Sequence, residues 1–142
     1  MDKRILLPVD DSDQTHRAAE LAFELFSDAR LVLIHVINPA EAGFTTEAAI
    51  PNFPENWYEQ QESDAEAIFD DIESEAKEYG IEVEGVLELG QPARTIVDHI
   101  EAADIDHVVM GSHGRKGVSR ILLGSVAETV LRRSTVPVTV VR

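Results

Sequence analysis

Residues 106–127, DHVVMGSHGRKGVSRILLGSVA, decide how this chain is read. The segment opens on a short apolar run, Asp106 to Met110, which has the length and composition of a buried strand and stops at Gly111. Gly111 and Gly114 leave the main chain bare, so that consecutive amides can form an anion-binding nest. Gly124-Ser125 lies where a last helix, about Ser125 to Arg133, is expected to begin. The first amides of such a helix face outward at the positive end of its dipole. Arg115, Lys116 and Arg120 add positive charge between the two elements, and phosphate is the natural occupant. Two plainer readings compete. Ser125 with Glu128 three residues on has the form of a capping box. Alternatively Val118, Ile121, Leu122, Val126 and Val130 make one continuous stripe that would place Gly124 inside a helix, at a cost of about 1 kcal/mol.

Outward from this segment, strands and helices alternate. Residues 4–9 (RILLPV) form an apolar run ending at Asp10, followed by the cap-type residues Asp11, Ser12 and Asp13. Ala18, Leu21, Ala22, Leu25 and Phe26 then recur at helical spacing. Residues 31–37 (LVLIHVI) are apolar on both faces, as a strand covered by helices on each side requires. Pro39, Gly43, Pro51 and Pro54 make residues 38–56 a long loop, a candidate lid or partner-contacting segment, with variable surface filler the favoured plainer reading. A long acidic helix is expected over Trp57 to Tyr79, with Tyr58, Ala65, Ile68, Phe69, Ile72, Ala76 and Tyr79 inward and Gly80 as its C-cap. Residues 82–89 alternate as a strand at a sheet margin does. Gly90-Gln91-Pro92 opens another helix, and Pro137 to Val141 is the last strand.

Five strands separated by helices predict a parallel sheet with right-handed crossovers, in one domain over 1–142. Ligands of open sheets bind beyond the carboxyl ends of the strands, where the strand order reverses. Pro8-Val9-Asp10 and Gly111-Ser112-His113-Gly114 both fall on that rim.

Composition narrows the function. The 142 residues hold 12 basic and 27 acidic side chains, a net charge of −15, which disfavours nucleic acid and anionic lipid. Zero cysteines exclude disulfides and thiolate chemistry. No apolar run approaches the ~20 residues of a membrane span, and the start has no signal-peptide core, so a cytoplasmic location without membrane is expected. The acidic balance with nine arginines and only three lysines fits a halophile's cytosol, with an ordinary acidic domain as the plainer alternative. The charge is uneven: residues 1–110 hold 26 acidic and six basic side chains, residues 111–142 one and six. That asymmetry also suggests an anion site in the C-terminal third.

The pattern Gly111-x2-Gly114-x9-Gly124-Ser125 resembles the G-x2-G-x9-G-[ST] signature of the ATP-binding branch of the universal stress protein (UspA) family. ILLPVDDS, Ile34-His35-Val36 and the close Ser134-Thr135-Val136-Pro137-Val138 are similar to the family's first, second and last strands, in order along the whole chain. The resemblance implies an α/β fold with an open five-stranded parallel sheet in the order 3-2-1-4-5, helices on both faces, and ATP over the strand ends, with Mg²⁺ or Mn²⁺ as an optional companion. It implies that Pro8, Val9, Asp10 and Val36 surround adenine and ribose, and that Met110, Gly111, His113, Gly114 and Arg115 line the nucleotide and its phosphates. Gly124, Ser125, Val126 and Ala127 would hold the phosphate chain through amides and the serine hydroxyl. It also implies a homodimer through strand 138–141. Asp11, beside Asp10, departs from the small residue common in the family and adds negative charge near a triphosphate. Asp10 fits a ribose-hydroxyl acceptor, with helix capping as its plainer role. His113 sits between two glycines, where it shapes the loop; the other histidines have no zinc-motif spacing.

Three functions follow: an ATP-binding regulatory stress-response module acting on an unidentified protein partner, a slow ATPase or phosphoryl-transfer enzyme, or a dimeric scaffold with a vestigial site. The first is favoured, because no convincing base for catalysis is legible beyond Asp10, Asp11 or His113.

Overall fold

The computed structural model describes residues 3–43, 55–112 and 123–142. In chain order the elements are β1 (Arg4–Pro8), α1 (Asp13–Leu25), β2 (Arg30–Ile37), a 3-10 turn (Pro39–Ala42), α2 (Glu55–Glu78), β3 (Val83–Leu89), α3 (Pro92–Ala102), β4 (His107–Gly111), α4 (Ser125–Arg133) and β5 (Val138–Val141). The strands form one sheet in the order β3-β2-β1-β4-β5, every pairing parallel.

The alternation of side chains along the strands divides the core into two layers. Ile5, Leu7, Leu31, Leu33 and Val109 pack with Ala18, Ala22 and Phe23 of α1 and Ile72 and Ala76 of α2. Leu6, Val32, Ile34, Val108 and Met110 turn to the other face, against Ile96 and Ile100 of α3 and Ala127 and Val130 of α4. Helices on both faces explain why 31–34 is apolar at every position and wholly buried. In β3, a Cβ at Gly85 would stand 2.7 Å from the Phe69 ring, so glycine is what lets α2 lie close on that margin.

The long acidic helix begins at Glu55, two residues before the expected Trp57, and ends at Glu78, one residue before the expected Tyr79. Gly80 turns the chain at φ +70°, and the Ile81 amide bonds back to Ala76 O. Tyr79 does not face inward as the periodicity predicts. The helical path stops at Glu78, which carries the ring out of the buried stripe, and it remains 47% exposed with one side on Phe23, ring centroids 5.0 Å apart. The loop expected over 38–56 contains the 3-10 turn, which Asn38 caps through Ala40 N–H; residues 44–54 lie outside the described residues. Among the described residues no helix is long and apolar enough to cross a membrane.

Candidate functional site

β1 has β2 on one side and β4 on the other, and the chain leaves it in opposite senses: the strands after α1 step towards β3, those after α3 towards β5. Loops on the two sides of such a switch point separate and leave a crevice above the carboxyl ends of the strands. A cavity of about 630 Å³ opens there, within the size range of small-molecule sites. Ten of the thirteen residues singled out in the sequence line it: Pro8, Val9, Asp10, Val36, Met110, Gly111, Gly124, Ser125, Val126 and Ala127. His113, Gly114 and Arg115 lie outside the described residues, as do Lys116 and Arg120.

One wall of the cavity is the start of α4. Gly124 is its N-cap, at φ −72° and ψ 166°, and no side chain caps the helix. The capping-box reading of Ser125 and Glu128 therefore does not hold: Ser125 is the first helical residue, and Glu128 instead pairs with Arg132 one turn on, at 2.9 Å. Nor is Gly124 inside a helix. The first intrahelical bond runs from Glu128 N–H to Gly124 O, which leaves the amides of Ser125, Val126 and Ala127 without a partner in the helix. The Gly124 amide differs, because it donates to Ser112 O. Of the four amides expected to hold phosphate, three have no backbone partner among the described residues and the first is spent on Ser112 O. Ser112, buried, also receives Gln14 Nε2 on its Oγ at 3.1 Å and donates its own amide to Val141 O.

At the opposite end, Asp10 closes the turn into α1. Its Oδ1 accepts from Ser12 N–H and from Thr15 Oγ1, both at 2.9 Å, while its own amide donates to Thr15 Oγ1 at 3.0 Å. Ser12 occupies the N-cap position without a side-chain cap bond, and Asp10 instead holds the Ser12 amide and the Thr15 hydroxyl in the turn that leads into the helix. The carboxylate is thus fixed on the cavity wall by its own helix. Asp11 and Asp13 are exposed and are not among the residues that line the cavity.

Backbone parity along β2 explains what Val36 offers. Arg30 N–H bonds to Lys3 O and Ile34 O receives Val9 N–H, so even-numbered residues face β1; Leu31 N–H bonds to Glu82 O and Ile37 O receives Gly90 N–H, so odd ones face β3. β1 ends at Pro8. Val36 accordingly turns one donor and one acceptor towards the space β1 has vacated, which is the cavity.

Sequence reasoning missed several lining residues. Pro92 and Ile96 come from the start of α3, whose Gly90-Gln91-Pro92 opening lies on the same rim and was the available signal. His35, Glu41, Gln61 and Glu128 also line the wall. Glu41 and Gln61 come together only because α2 folds back over the sheet, which no local pattern announces. Asp10, Glu41 and Glu128 line the wall, the last paired with Arg132, and no Lys or Arg is among the described lining residues. No group of three or more metal-ligating side chains occurs among the described residues.

The fold is a doubly wound α/β sheet with a crevice at its switch point, walled on one side by helix-start amides that have no backbone partner among the described residues and on the other by the main chain of Val36. The chain belongs to the universal stress protein family, whose sequence profile matches it over residues 1–142. It is 30% identical to universal stress protein MJ0577 of Methanocaldococcus jannaschii, over all of this chain and 96% of that one. The solved structure of MJ0577 superposes with a TM-score of 0.84, covering 99% of this chain and 96% of the other at 31% identity. Universal stress protein YxiE of Bacillus subtilis is 28% identical over the full length of both chains. A universal stress protein solved in complex with cAMP superposes with a TM-score of 0.71 at 25% identity, over 99% of this chain and 97% of that one.

Proposed function

We propose that this chain binds an adenine nucleotide, ATP foremost, in the rim cavity and serves as a nucleotide-dependent stress-response module that passes its state to a protein partner. The observation that carries the reading is the pairing of two complementary walls. The open amides of Ser125, Val126 and Ala127 suit phosphate oxygens. The outward N–H and C=O of Val36 suit the adenine edge, which presents an acceptor at N1 and a donor at N6. Val36, Pro92, Ile96 and Met110 supply apolar contact for the ring, and Asp10 lies between the two walls as an acceptor for ribose hydroxyls. The Ser125 hydroxyl adds a phosphate donor, and Gly111 leaves room at the strand end. His113, Gly114 and Arg115, with Lys116 and Arg120, belong to the segment between Ser112 and Leu123, and in this reading bring positive charge that is absent from the described lining. The cAMP-bound family member supports the ligand class. A divalent ion would enter on the phosphates rather than on a protein cluster, Mg²⁺ being held mainly by substrate oxygens in such sites.

The second copy of a homodimer would pair along β5. Val108 N–H bonds to Pro137 O and Ser112 N–H to Val141 O, so Val138 and Val140 direct their main-chain groups away from β4 to the free edge of the sheet. An apolar edge of this kind is usually covered.

Calorimetric titration of the purified protein with ATP, AMP and GTP in high KCl tests the reading. Micromolar ATP binding, about −8 kcal/mol, with GTP much weaker is expected. No heat with any adenine nucleotide would end the proposal.

A further inference from the structure

We propose that His35 is a positioning residue that keeps the base-recognition edge open. The inference rests on adenine binding at Val36 and goes beyond it by naming the group that makes Val36 available. The β1–β2 ladder has a fixed step: Arg30 N–H takes Lys3 O, and Val9 N–H takes Ile34 O. The same step makes Val36 N–H to Val9 O the next rung. That rung is not formed, although Val9 is near enough to have made the preceding one. The Val9 carbonyl is taken instead by His35 Nδ1, at 2.8 Å. A carbonyl only accepts, so Nδ1 carries the hydrogen. His35 faces away from the Val36 side chain by strand alternation, yet its ring reaches round the end of β1 and occupies the acceptor that Val36 would otherwise use.

The consequence is specific. With Val9 O occupied, the sheet stops one rung early, and the donor of Val36 stays directed into the cavity beside its acceptor. Without the ring, Val9 O is open to Val36 N–H, and closure of that rung removes the donor that reads adenine N1. His35 touches the backbone of β1 and acts on the ligand through Val36.

His35→Phe keeps an aromatic ring and deletes the donor; His35→Asn keeps an N–H close to the position of Nδ1. Amide hydrogen exchange and nucleotide titration are measured on both and on the unaltered protein. In the ligand-free state His35→Phe should slow exchange at Val36, the opposite of what loss of stability produces, while His35→Asn leaves it fast. ATP, AMP and adenosine should all bind His35→Phe about tenfold more weakly, the effect of one hydrogen bond to a buried group, and His35→Asn within about threefold of the original. Ribose 5-phosphate, which has no base, should bind both variants as it binds the original. Unchanged or faster Val36 exchange in His35→Phe overturns the proposal, as does unaltered adenosine affinity. If the unaltered protein binds no adenine nucleotide, the functional reading fails with it. Slowed Val36 exchange in His35→Phe would then still show that the ring blocks the rung.

Discussion

Gly124→Val separates the two walls of the site. Gly124 has φ −72° and ψ 166°, an extended conformation open to any residue, so valine meets no backbone strain there. Its carbonyl still accepts from Glu128 N–H and its amide still reaches Ser112 O, because both are main-chain groups. Valine is a poorer N-cap than glycine, at about 1 kcal/mol, or about 3 °C in melting temperature for a chain of this size. The ligand meets a different obstacle. A branched side chain at the cavity wall stands beside the open amides of Ser125 and Val126 and keeps phosphate from reaching them. Hydrogen bonds to charged groups are worth about 1.5–3 kcal/mol each, so losing one or two costs about 3 kcal/mol, roughly 150-fold in affinity. Adenosine, held at the far wall by Val36 and Asp10, should lose less than about threefold. The assay is calorimetric titration of both proteins with ATP and adenosine at equal salt, with a thermal melt alongside. ATP affinity unchanged in a folded variant would refute the assignment of phosphate to the start of α4, and equal losses for both ligands would show a general collapse of the site.

Three further outcomes are expected. Asp10→Asn keeps an oxygen for Ser12 N–H and removes the charge, so it should weaken ATP by about tenfold while leaving 2′,3′-dideoxy-ATP unaffected; equal losses in parallel titrations would reject the ribose contact. Burial, and then the charge of Lys3, hold the His107 imidazolium below its ordinary range. The unfolded chain therefore takes up that proton first, and the stability this residue contributes is full above the ordinary histidine value and lost as pH falls through the lowered one. Thermal melts between pH 7.5 and 5 should show a smaller acid loss in His107→Gln, which retains a partner for Thr139 Oγ1, and identical slopes would dismiss this cause. Val140→Pro removes an edge amide that faces away from β4, so light scattering should report monomer with an unchanged far-ultraviolet spectrum; a persistent dimer would move the interface elsewhere.

Much of this architecture is legible in residue order alone, because local rules govern it. The uninterrupted apolar run 31–34 requires cover on both faces, Gly80 ends a helix, Pro92 begins one, and Gly124-Ser125 marks the boundary where α4 starts. The rim position of Pro8–Asp10 and Gly111 follows from parallel strands, whose carboxyl ends all point one way. Tertiary structure decided what periodicity and spacing do not encode. Whether the Gly124 amide is open depends on Ser112 O, twelve residues earlier, and whether Asp10 is fixed depends on Thr15 as a partner on the next helix. Glu41 and Gln61 reach the wall only through the return of α2 over the sheet. Val36 offers its donor because a histidine ring occupies Val9 O, a contact between two strands separated by a helix in the chain. Each of these is a hydrogen bond or approach between residues that only folding brings together, and sequence patterns report which side chains are buried, not which polar groups are already taken.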